Sequence, residues 1–336
     1  MKRSLRTAFA FALAALCFCS GAAGAKIVAV PLPVASGIQF AGMNEKGQAT
    51  GCYGDGRTGA MHGFLLAPDG ALATFDVPVT MKSHGGVEMT CATGISADGT
   101  VSGWYAIGMT GGGFVRAADG AITTFTVGPF TEAGGMNQKR WIVGEYDRNQ
   151  KHPAQAFLRD PSGATQEFSV PGAVYAYPRL VNRSRSIAGM AIVQTAPFRY
   201  QGFFRPAQGK AALFGDVHLD TEVSGMNDAG TVVGSFGDPH YTAFIRTSDG
   251  TLTTFEGPGG AIDTHAYGIN NSGTIVGAFA YANGGGHSFL RAADGTFTLF
   301  DLPGGYQTVI HAINDKGVIA GVYTIQGGQG VFVGKP

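Results

Sequence analysis

Seven times along this chain an Ile, Met or Val precedes a small polar anchor residue, and a glycine follows that anchor seven residues later. The anchors are Asn44, Ser96, Asn137, Asn182, Asn227, Asn270 and Asn314, at steps of 52, 41, 45, 45, 43 and 44 residues. The glycines are Gly51, Gly103, Gly144, Gly189, Gly234, Gly277 and Gly321. A unit of this size cannot bury a core alone, so the repeat governs how every motif inside it is read.

Local chemistry gives each unit its shape. Asn-x-x-Gly suits a β-turn, with Asn opening it and Gly closing it at positive φ. Gly47, Gly99, Gly230, Gly273 and Gly317 fill that closing position, while Arg140 and Arg185 replace it in the third and fourth units, so those two turns should be strained or differently built. The flanks are apolar over four to six residues, which is strand length. A second hairpin follows. It carries Phe64, Phe114, Phe157, Phe203, Phe244, Phe289 or Phe332, then an Asp-Gly turn or its equivalent, then a strand ending near a further Phe. Each unit is therefore four short antiparallel strands, the content of one propeller blade.

The expected fold is all-β, a seven-bladed β-propeller of four-stranded antiparallel blades. The last unit has room for only three strands. Val28-Ala29-Val30-Pro31 aligns with the closing Phe300-Asp301-Leu302-Pro303, so strand 27–31 is expected to complete the C-terminal blade and close the ring. An open solenoid is the alternative, and it leaves that match unexplained.

Lys2, Arg3 and Arg6, the apolar run 8–18 and Ala23-Gly24-Ala25 have the order of a secretory signal peptide, giving a leader over 1–25 and one domain over 26–336. The run is shorter than the roughly 20 residues of a bilayer span, and Leu16 and Phe18 do not suit a lipidation site, so the mature chain is expected without a transmembrane segment. A bacterial, secreted or periplasmic location follows. Three of the 23 basic residues fall in the leader, leaving 20 against 23 acidic ones. That balance offers no basic surface for nucleic acid. Cys52 and Cys91 remain after processing, and an oxidising compartment favours a disulfide between them.

Gly268–Gly277 and His287–Gly304 carry a Gly-Ile-Asn-x-x-Gly-x-Ile-Val-Gly signature, then His-x-Phe-Leu and Phe-Asp-Leu-Pro-Gly. In these motifs the chain resembles the HAF-type bacterial extracellular repeat family, from Lys26 to the C-terminus. The resemblance implies an exported propeller-like repeat protein and transfers no catalytic motif.

Residues that differ between units are where function should lie. The third residue before each anchor is Ala41, Thr93, Gly134, Arg179, Ser224, Tyr267 or His311, and the fifth is Gln39, Cys91, Glu132, Tyr177, Glu222, His265 or Val309. By strand periodicity both positions face the channel. Glu132, Tyr177, Arg179, Glu222, His265, Tyr267 and His311 are thus the candidate ligand-binding residues, together with the long, variable connections such as 79–90 and 147–155. Tyrosines, carboxylates and Arg suit a carbohydrate, and Glu132 with Glu222 form a candidate catalytic pair for a glycosidic bond. The bland alternative is that channel mouths tolerate polar residues. His84 with Glu88, and Asp238 with His240 and Asp263, lack metal-ligand spacing, so neither a metal nor a cofactor is expected. The Arg after Phe-Leu (Arg116, Arg159, Arg205, Arg246, Arg291) recurs, which argues for a structural partner such as the Asp of Phe-Asp-Leu-Pro. Thr90, Thr131, Thr221, Thr264 and Thr308 read as hydrogen bonders between blades.

The functional expectation is a monomeric binding or scaffold module for a carbohydrate or extracellular protein. A propeller glycoside hydrolase or lyase, and a purely structural repeat protein, are the alternatives.

Overall fold

The computed structural model describes residues 16–18, 26–32, 35–78, 87–108, 110–147, 154–195, 197–216, 218–237, 239–304, 307–325 and 328–336. Its described residues form strands and turns, and the strands pair antiparallel but for one bridge. Four sheets have four strands each. One of them joins Asp263–Ile269, Ile275–Ala280, Gly286–Arg291 and Phe297–Phe300 in sequence order. A larger sheet of eight strands consists of two such groups, Ala35–Met43 to Leu72–Phe75 and Glu88–Ile95 to Ile122–Phe125, joined by one parallel bridge from Met61 to Met89. In the remaining sheet, Gln307–Ile313, Ile319–Ile325 and Gly328–Lys335 are followed by the N-terminal strand Lys26–Leu32, which pairs from Lys26 opposite Lys335 to Leu32 opposite Gln329. The backbone of Leu16–Phe18 adds a fifth strand outside it.

The anchor asparagines do two jobs. Within a unit, the Asn carbonyl accepts from the residue three on (Gly273 N to Asn270 O, 3.1 Å) and its Oδ1 accepts from the amide four on (Thr274 N, 2.9 Å). Between units, its Nδ2 donates to the anchor carbonyl of the next unit. Asn44 reaches Ser96, Asn137 reaches Asn182, Asn182 reaches Asn227, Asn227 reaches Asn270, Asn270 reaches Asn314 and Asn314 reaches Asn44, all at 2.7–3.3 Å. Ser96 has no amide to donate. There Asp98 takes over the turn, accepting from Ser96 Oγ and Thr100 N, and the neighbouring link is Ala97 N to Gln138 O at 3.3 Å. All seven anchors are at most 8% exposed, so each of these bonds is made away from solvent.

The seven repeated Phe residues are wholly buried. They explain the glycine seven after each anchor. A Cβ on Gly277 would stand 2.7 Å from the Phe289 ring, and the six equivalent glycines lie within 3.0 Å of theirs. The closing position of the turn needs glycine for a different reason, its φ of +74° to +94°. Arg140 and Arg185 adopt the same left-handed conformation at +65° and +72°, so these two turns carry the expected strain and are not rebuilt.

The repeated Arg has another partner than the sequence suggested. Arg116, Arg159, Arg205, Arg246 and Arg291 each place the guanidinium 4.4–5.1 Å from the ring centre of Phe75, Phe125, Phe168, Phe214 or Phe255, on the last strand of the preceding sheet. This is a cation–π contact. The Asp of Phe-Asp-Leu-Pro pairs instead with the His of His-x-Phe, as in His62–Asp76 (2.8 Å) and His287–Asp301 (2.6 Å). Thr90, Thr131, Thr264 and Thr308 do bond across, each accepting from the amide of a segment that leaves the preceding sheet, such as Val77 N or Leu302 N. Thr221 Oγ1 is buried without a partner.

Truncating one anchor should be costly. The Asn182 side chain makes four hydrogen bonds, to Asn227 O, Asp228 O, Ser186 N and Ser184 Oγ. At about 1 kcal/mol each, with buried groups left unpaired, Asn182→Ala should lower unfolding stability by about 2–4 kcal/mol in urea titration. Ser96→Ala, at the one anchor with no Nδ2 to clasp the next sheet, should cost about 1 kcal/mol.

Candidate functional site

Each of the seven inner hairpins contains a register shift that spans the third residue before the anchor, and the first hairpin has a second one between Ala35 and Gly37. The shifts fall between Phe40 and Gly42, Ala92 and Gly94, Ala133 and Gly135, Pro178 and Leu180, Val223 and Gly225, Ala266 and Gly268, and Ile310 and Ala312. The skipped residue is Ala41, Thr93, Gly134, Arg179, Ser224, Tyr267 or His311. A β-bulge leaves its extra residue unpaired and re-aims its side chain. Simple alternation puts the third and fifth positions on one face. The bulge divides them into two tiers.

The first tier lines a cavity of about 220 Å³ at the end of the channel where the Asn turns lie. Arg179, Tyr267, His311 and Thr93 line it, and Glu45, Asp228 and Asp315 stand among the residues next to the anchors. The cavity therefore belongs to the short-turn end, opposite the long connections favoured from sequence. His311 stacks on Phe40 (5.6 Å, 14°) and touches Tyr267 (4.7 Å), which in turn stacks on His265 (5.9 Å, 3°). Burial lowers the His311 pKa to about 4 and raises that of Tyr267 to about 12, with Glu222 adding to the second shift. His311 retains some accessible surface, but its burial keeps the imidazole neutral at pH 7.

The second tier is built between sheets. At three junctions the fifth-position residue meets the residue eight after the preceding unit's anchor. Cys52 and Cys91 occupy one such seat and form the expected disulfide. Ser235 and His265 occupy another, with Ser235 Oγ 3.0 Å from His265 Nδ1. Glu222 Oε2 approaches the same nitrogen at 3.9 Å. A nucleophilic triad needs the acid and the hydroxyl on opposite ring nitrogens, and Ser235 is 1% exposed, so this is a positioning contact. Burial lowers the His265 pKa, opposed by Glu222 and Asp263.

The third seat holds a residue that sequence reading missed. Glu145 lies opposite Glu132 in the hairpin register, is 4% exposed, and has no hydrogen-bond partner on either carboxyl oxygen. Burial pushes its pKa up to about 8; Arg179 opposes the shift and Glu132 adds to it. Glu145 in turn contributes to the raised pKa of Tyr177, after burial. The signal was present in the sequence: the position after the repeated glycine reads Cys52, Trp104, Glu145, Met190, Ser235, Ala278 and Val322, as varied as the channel positions.

The seven candidates thus form two groups. Glu222, His265, Tyr267 and His311 are linked by contacts, and Glu132, Tyr177 and Arg179 surround Glu145. Among the described residues no hydrogen bond or ion pair joins Glu132 to Glu222. His84 and Asp238 lie outside the described residues; His240 Nδ1 is 3.4 Å from Asp263 Oδ1, which also accepts from Tyr241 N. Among the described residues no three His, Cys, Asp or Glu side chains converge on a point where a metal could bind.

No family model matches the chain, and no curated protein does. Solved structures do. A streptogramin B lyase is 13% identical with a TM-score of 0.58, over 92% of this chain and 97% of that one. A catalytically inactive histidine-to-alanine variant of virginiamycin B lyase from Staphylococcus aureus, solved with quinupristin, is 12% identical with a TM-score of 0.58, over 93% and 99%. The β-propeller domain of the Trilobed protease from Pyrococcus furiosus, described as having an open velcro topology, is 9% identical with a TM-score of 0.57, over 88% and 94%. At such identities the likeness establishes fold alone: this chain has a β-propeller fold.

Glu145 should make stability depend on pH. Its pKa rises on folding from 4.5 to about 8. Below the lower value both states hold the proton. Between the two values only the folded state does, so stability falls as pH rises through that window, by several kcal/mol in all. Glu145→Gln removes this term. The stability of the variant relative to the parent should therefore increase by about 2–4 kcal/mol between pH 5 and pH 8 in urea titrations, and a constant difference would refute the assignment.

Proposed function

We propose that the chain is an exported, monomeric, seven-bladed propeller that binds a small polar ligand, a saccharide end, in its central channel. The observation that carries this reading is the bulge at the same place in all seven inner hairpins. It leaves one residue per unit unpaired, and at three of those places that residue is Arg179, Tyr267 or His311, all lining the cavity. A volume of about 220 Å³ is below the roughly 300–1,000 Å³ of sites for drug-sized molecules, which favours a small ligand over a protein segment. Aromatic faces beside neutral and charged hydrogen-bonding groups suit sugar rings.

The blade count and ring closure are supported by the seven anchors, by the pairing of Lys26–Leu32 with Gly328–Lys335, and by the bond from Asn314 back to Asn44. Export is supported by the basic, apolar and small-residue leader and by the Cys52–Cys91 disulfide. No helix among the described residues is long and apolar enough to cross a membrane. The Asn-x-x-Gly and Phe-Asp-Leu-Pro motifs support kinship with HAF-type extracellular repeat proteins, and through it a secreted or periplasmic site of action.

A second reading, cleavage of a saccharide, rests on one observation. Exposed Glu132 lies beside Glu145, a carboxyl that holds its proton at neutral pH, and split protonation is how carboxyl pairs divide acid and base roles. Burial of Glu145 and the distinct surroundings of Glu222 favour binding over catalysis.

A glycan array of the mature protein, followed by calorimetry on any hit, tests the main reading. Binding is expected, and Tyr267→Ala should weaken it about tenfold or more without a change in melting temperature above a few degrees. Absence of binding to every glycan would overturn the saccharide assignment. Release of reducing ends, abolished in Glu132→Gln, would favour the enzymatic reading.

A further inference from the structure

At the bulges the inner strands meet main chain to main chain. A Cβ on Gly135 would run into Arg179 O, one on Gly225 would stand 3.1 Å from Tyr267 O, and one on Gly268 would stand 2.9 Å from His311 O. Thr93 Oγ1 donates to Ala133 O at 2.7 Å, from the second inner strand to the third. These contacts draw neighbouring units into a collar, and Arg179, Ser224, Tyr267 and His311 line the one cavity of about 220 Å³ that it bounds. Two arginines line that cavity. Arg183 is committed, since its guanidinium lies 3.5 Å from the Asp228 carboxylate. Arg179 is not. Among the described residues no hydrogen bond or ion pair holds its guanidinium, and the ring it faces, Tyr177, is centred 5.9 Å away. Glu145, the carboxyl on which it acts, holds its proton at neutral pH and leaves that charge uncancelled. Ser224 and Tyr267 are partly exposed, and their hydroxyls make no hydrogen bond among the described residues. Three carboxylates also line the cavity, and each is engaged. Asp228 accepts from Arg183 N and Asn271 Nδ2, Asp315 from Asn271 N and Nδ2, and Glu45 from Asp315 N. They sit in the turns just past the anchors, whereas Arg179 stands on the strand before its anchor.

We propose that Arg179 is the seat of a carboxylate, and that the saccharide end taken by this cavity is a uronic acid. The inference rests on the channel-binding reading and names its ligand class. A guanidinium grips a carboxylate through two parallel N–H donors. The Ser224 and Tyr267 hydroxyls are then placed to serve ring hydroxyls, and the faces of Tyr267 and His311, whose rings lie 4.7 Å apart, offer an apolar wall for the sugar ring. A neutral sugar would leave the one uncommitted cation of the cavity without a partner. A phosphorylated sugar would bring close to two negative charges past the carboxylates of the turns, where like charges repel.

Calorimetry of the mature protein at pH 6 tests this with three disaccharides that differ only in the terminal unit, glucuronate, glucose or glucose 6-phosphate. The glucuronate form should bind about tenfold more tightly than the glucose form, or more, and more tightly than the phosphate. Arg179→Gln should bring the glucuronate and glucose affinities to the same level. Its guanidinium holds no part of the fold, so the melting temperature of this variant should stay within a few degrees of the parent. Arg179→Lys, which keeps the charge and loses the fork, should retain part of the preference. Equal or tighter binding of the glucose form, or a preference for glucuronate that survives Arg179→Gln, would overturn the carboxylate seat while leaving the channel-binding reading intact. Tightest binding of the phosphate would overturn the uronic acid assignment. Absence of binding by all three would overturn the seat and count against the channel-binding reading as well.

Discussion

The fold depends on a side chain that bonds in two directions at once. Each anchor Asn closes its own turn through Oδ1 and clasps the next sheet through Nδ2. Neither job alone requires Asn, since Asp or Ser can close such a turn, as Asp98 and Ser96 do in the second unit. Doing both requires an acceptor and a donor on one short, buried amide. That is why Asn holds the position in six of seven units, and why its replacement by Ser interrupts the chain of side-chain bonds at one junction.

With the sheets joined there and through the Arg–Phe contacts, the inner strands are free to carry residues that differ. The bulge makes that freedom useful. It spares the third position from pairing, so Arg179, Tyr267 and His311 enter the cavity without disturbing the ladder. One step away, the seats between sheets tolerate a disulfide, a Ser–His bond or a buried carboxyl in equivalent places. The same geometry thus serves as a staple at Cys52–Cys91 and as a charge-bearing wall at Glu145.

Much of this was legible in the sequence because it repeats. Four strands per unit, the left-handed turns at Arg140 and Arg185, and the bridging threonines follow from spacing and turn chemistry. Three features did not. Period-two counting cannot register a bulge, so the two channel positions read as one face. Glu145 sits on the second strand, outside the positions that alternation assigns to the channel, although its variability marked it. The partner of the repeated Arg was misassigned because charge complementarity pointed to Asp, whereas the preceding sheet places a Phe ring under the guanidinium and gives the Asp to His62 or His287.

The clasp itself is most directly tested by hydrogen exchange. The amides of Gln48, Trp141, Ser186, Thr231, Thr274 and Val318 all donate to an anchor Oδ1, while Thr100 N donates to Asp98 at the interrupted junction. If the anchors hold the sheets together, these six amides should open only with global unfolding, and Thr100 should exchange faster by a lower-energy local route. Rapid exchange of the six, at rates set by fraying of each hairpin on its own, would contradict the account.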